Sequence, residues 1–160
     1  MNRLCHKEVG SSLIEVVVAL FVMAVGMLGV LSMQVKSMQF SQSAYYYSQA
    51  AYLANQILEN MRSTPGIAHA YLIGLDESAP EASKDCSASG VTCSATELRD
   101  FNLKNWRTSV EKTLVSGKAS VQRVGNFYAI IVQFDDTRSA PDRENKTEPE
   151  LAEYVLMTEI

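Results

Sequence analysis

Gly10-Ser11-Ser12-Leu13-Ile14-Glu15-Val16-Val17-Val18-Ala19-Leu20 joins a polar leader to an apolar run, and Glu15 is the last formal charge before Lys36. The uncharged stretch from Val16 to Val35, VVVALFVMAVGMLGVLSMQV, is 20 residues long. At about 1.5 Å rise per residue, a helix of that length spans the roughly 30 Å of a bilayer core. Arg3 and Lys7 precede it, so the positive-inside rule keeps the N-terminus in the cytoplasm and carries everything after Lys36 across the membrane. A carboxylate at the mouth of such a segment is costly, which marks Glu15 as a functional position.

An ordinary secretory signal has a shorter apolar core followed by a small-residue cleavage step, and no such step follows this run. Ala19, Ala24 and Gly26 lie inside the longer hydrophobic helix instead. A hydrophilic leader that ends in Gly10 ahead of the apolar run is the opposite arrangement. The motif Gly10-Ser11-Ser12-Leu13-Ile14-Glu15-Val16 resembles the N-terminus of type IV pilins and pseudopilins. That resemblance implies cleavage between Gly10 and Ser11 by prepilin peptidase, N-methylation of the new terminus at Ser11, and an assembly role for the acid at the fifth mature position, Glu15. Most members begin the mature chain with Phe or Met, and here Ser11 stands in that place. Cys5 lies in the leader, too early for a lipoprotein anchor, and is lost on processing.

The chemistry of Glu15 has a physical reading of its own. A membrane-embedded carboxylate is tolerated when a cation comes to it, and cleavage at Ser11 creates an α-amino group. A helix does not readily fold its own terminus onto its fifth residue, so the amine of a neighbouring subunit is the better partner. The other reading is an interfacial acid at a helix start, favoured by the helix dipole.

Beyond the membrane segment the helix continues. Tyr47, Ala50, Ala51, Ala54, Ile57, Leu58 and Met61 recur at three- and four-residue steps, with no Gly or Pro between Val30 and Thr64. Pro65-Gly66 stops it. A helix from Ser11 to Arg62 holds 52 residues and measures roughly 78 Å. Of Tyr45, Tyr46, Tyr47 and Tyr52, three are consecutive and point around most of the circumference, so one or two meet the core and the others are left for subunit contacts. Gly26 and Gly29 read either as sites of close helix packing or local unwinding, or as routine transmembrane glycines.

About 95 residues remain, enough for one core. The segment 74–96, GLDESAPEASKDCSASGVTCSAT, reads as a loop. Its Cys86 and Cys93, outside the cytoplasm, pair best as a disulfide. The rival is a metal site, but His69 is the only histidine after the leader. Ser94-Ala95-Thr96-Glu97 is a capping box that opens a second helix, with Leu98, Phe101, Trp106, Val110 and Leu114 on its apolar face and Ser116-Gly117 at its close. Trp106 reads as the anchor of the core, with an indole N–H that needs an acceptor. Ala119–Val124 and Phe127–Phe134 flank Gly125-Asn126, a two-residue hairpin signal. The second of these strands is apolar on both faces and belongs in the middle of the sheet. A third, Tyr154–Glu159, follows a charged loop from Asp135 to Glu150 that contains Pro141 and Pro149.

The fold class is therefore α+β and pilin-like: a long N-terminal helix, transmembrane in its first half, packed on a small antiparallel sheet of three or four strands. The expected divisions are a prepilin leader at 1–10, a transmembrane half of the helix at 11–35, a distal amphipathic half at 36–64 and a globular head at 65–160. The stretch Leu53 to Arg62, the Cys86 and Cys93 loop, Asp100 to Trp106, the hairpin and Asp135-Asp136-Thr137-Arg138 further resemble minor pilins of the PilV type, the type IV pilus modification proteins. That likeness implies an inner-membrane protein with its head in the periplasm, which can pass into the pilus on the cell surface. The implied partners are other minor pilins, the major pilin, prepilin peptidase, an inner-membrane assembly platform and the lipid bilayer. The implied role is to initiate pilus assembly, with consequences for twitching motility and adhesion. The runner-up is a minor pseudopilin of a type II secretion system, which shares the N-terminus.

Removing residues 1–10 takes away Arg3, Lys7 and Glu8 and leaves 12 basic against 17 acidic side chains, a net charge near −5 that argues against a nucleic-acid module. A membrane-anchored periplasmic enzyme is a third reading. The sequence offers it no phosphate loop, G-x-S-x-G elbow or H-E-x-x-H motif, so no catalytic residue and no cofactor is expected. Asp135 and Asp136 with Asp76 and Glu77 could bind Ca²⁺, but loop acids without EF-hand spacing read as solvated surface.

Overall fold

The computed structural model describes residues 12–136 and 151–160, so Cys5, Gly10, Ser11 and most of the charged loop, with Pro141 and Pro149, lie outside the described residues. The chain divides into two compact units, Met1–Gln39 and Phe40–Ile160. One helix, α1 (Leu13–Ser63), runs through both. In the first unit every residue from Ser12 to Met38 is exposed, apolar side chains included. Ser12 offers its carbonyl to the amides of Glu15 (2.8 Å) and Val16 (3.3 Å), and so starts the hydrogen-bond ladder.

In the second unit the distal part of α1 becomes one wall of a core. Ala50, Leu53, Ala54, Ile57, Leu58 and Met61 are buried there, at the three- and four-residue steps that keep one helix face inward. Leu53 was missing from the sequence-based face, while Tyr47, expected to face inward, is exposed over much of its surface. Its ring still meets Phe134 edge-on, with centroids 5.1 Å apart. Pro65 ends α1 as expected, because a residue that precedes proline is driven out of the α region. The chain then makes a 3-10 helix, Pro65–Tyr71, that the Pro-Gly pair did not announce. The proline ring presets the backbone angle of its first position.

The second helix, α2 (Ala95–Thr113), starts at the expected capping box. The Ser94 hydroxyl accepts from the Glu97 amide, and the Glu97 carboxylate accepts from the Ser94 amide at 2.8 Å. At its far end Ser116 takes the left-handed backbone angle (φ 52°), not Gly117. Gly117 is required for space: a Cβ there would sit 2.5 Å from the Val110 carbonyl oxygen.

Three antiparallel strands follow, β1 (Lys118–Val124), β2 (Phe127–Asp135) and β3 (Leu151–Thr158), in the spatial order β1-β2-β3. The doubly apolar strand is thus central. The hairpin pairs Val124 with Phe127 across Gly125-Asn126. Only Gly125 (φ 63°) has a positive angle, the pattern of a II′ turn, so glycine is needed at that first position. β3 begins three residues earlier than the sequence suggested, where Leu151 comes opposite Asp135. On the inner face Tyr128, Ile130, Val132 and Phe134 of β2, with Ala119 and Val121 of β1, close the core against α1 and α2. Trp106 lies fully buried in this core and donates its indole N–H to the Leu53 carbonyl at 2.8 Å.

Candidate functional site

Glu15 sits in the first turn of α1, where the unsatisfied amides of a helix start favour an anion. Val16, Ala19, Leu20 and Met23 lie beside it and line an open recess of about 390 Å³. The spacing explains the recess. Glu15, Ala19 and Met23 follow at four-residue steps on one face, and the methyl group of Ala19 leaves a notch next to the carboxylate. Gly10 and Ser11, the expected cleavage and methylation positions, lie outside the described residues. Gly26 and Gly29 leave α1 continuous, and among the described residues of the chain a Cβ at either would meet nothing within 4 Å.

The structure joins Cys86 to Cys93 in a disulfide. This loop is tied to its surroundings mostly by charge. Lys84 pairs with Glu97 at 2.8 Å, and Lys104 of α2 pairs with Glu81 at 2.7 Å. The Lys84 ammonium, with the amide and hydroxyl of Ser94, pulls the Glu97 carboxyl down from an ordinary 4.5 to about 2. Lys104 likewise lowers Glu81, and the Ser87 hydroxyl and amide lower Asp85.

A cleft of about 480 Å³ opens between the 75–81 segment, α2 and β1. Several of its charged groups have partners within the protein. Lys118 holds Asp76 at 2.5 Å and lowers its carboxyl, and Glu77 accepts from the Gly74 amide at 2.8 Å. Asp136, at the end of β2, accepts from the Ser43 hydroxyl of α1 at 2.7 Å. The four acids considered for Ca²⁺ are not brought together, and among the described residues no group of three or more His, Cys, Asp or Glu forms a metal cage.

Arg107 is the residue the sequence reading missed. It is buried, and its guanidinium donates to the main-chain carbonyls of Ala119, Glu77 and Leu75, the last at 3.1 Å. It stitches the 75–77 segment to β1. The available signal was its phase: Leu103, Trp106, Arg107 and Val110 share one helix face at three- and four-residue steps.

Residues 32–104 match the family model described as Tt1218-like, type IV pilin Tt1218. No curated protein and no solved structure matches the chain. The matched stretch takes in α1 from Ser32 onward, the 3-10 helix, the disulfide loop and the first half of α2, the parts that join the long helix to its head. Together with a long apolar helix that fits a membrane anchor and an antiparallel sheet packed on its distal part, this match over 73 of the 160 residues supports the type IV pilin superfamily for this chain.

Proposed function

We propose that the chain is a minor pilin of the PilV type that helps to initiate type IV pilus assembly. Prepilin peptidase cuts after Gly10 and methylates Ser11. Residues 11–35 hold the protein in the inner membrane, 36–64 form the distal helix, and 65–160 form a head in the periplasm. Glu15 receives the terminal amine of a neighbouring subunit and thereby sets its depth and register in the growing assembly. Other minor pilins and the major pilin are the neighbours, gathered on the inner-membrane platform. Twitching motility and adhesion depend on the filament that results. The observation that carries this reading is a carboxylate at the start of a fully exposed apolar helix, with an open notch at Ala19 beside it, in a chain that matches a type IV pilin family model.

Glu15→Ala tests it. The variant is expected to insert in the membrane at wild-type level and to be depleted from the sheared-filament fraction, with surface piliation reduced. Wild-type piliation in that strain contradicts the assembly role. Normal piliation combined with a loss of protein export moves the chain to a secretion pseudopilin.

A further inference from the structure

The stretch from residue 74 to residue 96 gives the core no side chain. None of its residues is buried, and the core cluster passes from Ile73 directly to Leu103. Its partly covered side chains between 78 and 93 are small: Ala79, Pro80, Ala82 and the two cysteines. A segment that buries so little apolar surface has to be held by polar contacts.

Those contacts differ between the ends and the middle. At one end the carbonyls of Leu75 and Glu77 accept from the buried Arg107 guanidinium. At the other, Ser94 is locked into the capping box of α2 with Glu97. Between these pins the hydrogen bonds stay inside the segment: Ser87 and Ala88 donate to Asp85, and Val91 donates to Ala88. The disulfide from Cys86 to Cys93 is internal as well. Among the described residues, two polar contacts cross from 78–93 to the rest of the head, Lys104 to Glu81 at 2.7 Å and Lys84 to Glu97 at 2.8 Å.

Both crossing contacts are ion pairs open to water, with Lys104 and Glu81 44% and 89% exposed and Lys84 and Glu97 48% and 28% exposed. Pairs of this kind hold weakly, and salt screens them: the Debye length falls from about 10 Å at 0.1 M to about 3 Å at 1 M. Burial shields Arg107 from the same screening, so ionic strength acts on the middle of the segment and spares its ends. The cleft of about 480 Å³ leaves room for movement, with Ser78, Ala79 and Glu81 on the side of the segment and Lys104, Thr108 and Glu111 on the side of α2. We propose that residues 78–93 form a strap with fixed ends that lifts from α2 as one unit when ionic strength rises. The ring closed by Cys86 and Cys93 moves with the arm at 78–85. Lifting separates Glu81 from Lys104 and widens the cleft, while α2, the sheet and the core keep their arrangement. The device does not depend on the assembly role of Glu15.

The test is limited proteolysis of the full chain in a non-ionic detergent with a glutamate-specific protease, which has to draw the strap off α2 to cut after Glu81. Rates are taken relative to a disulfide-closed synthetic peptide of residues 78–93, which corrects for the effect of salt on the protease. Between about 0.05 M and about 1 M sodium chloride, the relative rate after Glu81 is expected to rise on the order of fivefold, because cleavage tracks the population of the open form. Cleavage after Glu111, inside α2, is expected to stay slow at both concentrations. A double variant, Lys84→Gln with Lys104→Gln, should be cut at the high-salt rate in either solution, and Lys104→Gln alone should lie between it and the wild type. A relative rate after Glu81 that is the same at the two concentrations overturns the proposal. So does a double variant that still responds to salt, because other contacts then hold the strap. Cleavage after Glu111 that rises in step with Glu81 also overturns it, since the whole head then loosens and the strap is not a separate unit.

Discussion

Arg107 is 9% exposed, and its guanidinium reaches three main-chain carbonyls on two separate segments, so its positive charge is shared among several acceptors. Hydrogen bonds from a charged group contribute about 1.5–3 kcal/mol each, and an acceptor left bare inside the protein costs a comparable amount. Arg107→Met keeps much of the volume and removes every donor. It is expected to lower stability by roughly 3 kcal/mol in chemical denaturation and to speed amide exchange at residues 75–77 before the rest of the head. Unchanged exchange there would show that the segment is held by other means. Arg107→Lys should rescue little, because a single ammonium does not reproduce the planar fork. This residue was hard to read from sequence because a cation on a helix is ordinarily solvated. Trp106, one position earlier, was legible because its size demands burial and its indole demands an acceptor.

Among the elements, α2 depends on a cap whose strength varies with pH. Glu97 titrates near 2 in the fold and near 4.5 when free, so its stabilisation is fully present above about 4.5 and is lost as pH falls toward 2. Helicity at the start of α2 is expected to fall across that acid window, and Glu97→Gln should flatten this part of the pH profile as followed by circular dichroism. The disulfide acts on the same end, since Cys93 directly precedes the Ser94 cap. Replacing both Cys86 and Cys93 by serine is expected to cost about 2.5 kcal/mol, the closure entropy of so short a loop. Exchange should rise first from residue 81 to the first turn of α2, and a denaturation midpoint equal to wild type would contradict this. The capping box and the hairpin were readable because their signals are local, within four residues. The 3-10 helix and the start of β3 were not: the first follows a Pro-Gly pair that reads only as a stop, and the second is set by pairing with Asp135.

At the scale of the whole chain, two kinds of hydrophobic pattern divide the labour. From Val16 to Val35 the apolar residues surround α1 and every one is exposed, as befits a helix whose solvent is lipid. From Ala50 to Met61 they narrow to a stripe that closes a protein core. That change of pattern made the architecture legible, because length and periodicity are written along a single helix. The central place of β2 was legible in its doubly apolar pattern, whereas the number of strands, three or four, was not, since it depends on contacts distant in sequence. Glu15 stands at the start of the first pattern, and the assembly role proposed for it requires a new amine at Ser11. Intact-mass spectrometry of the membrane-extracted protein tests this directly: the account predicts a chain that begins at Ser11 and carries one added methyl group, with Gly10→Arg retaining the leader, whereas a wild-type mass that still includes residues 1–10 would contradict it.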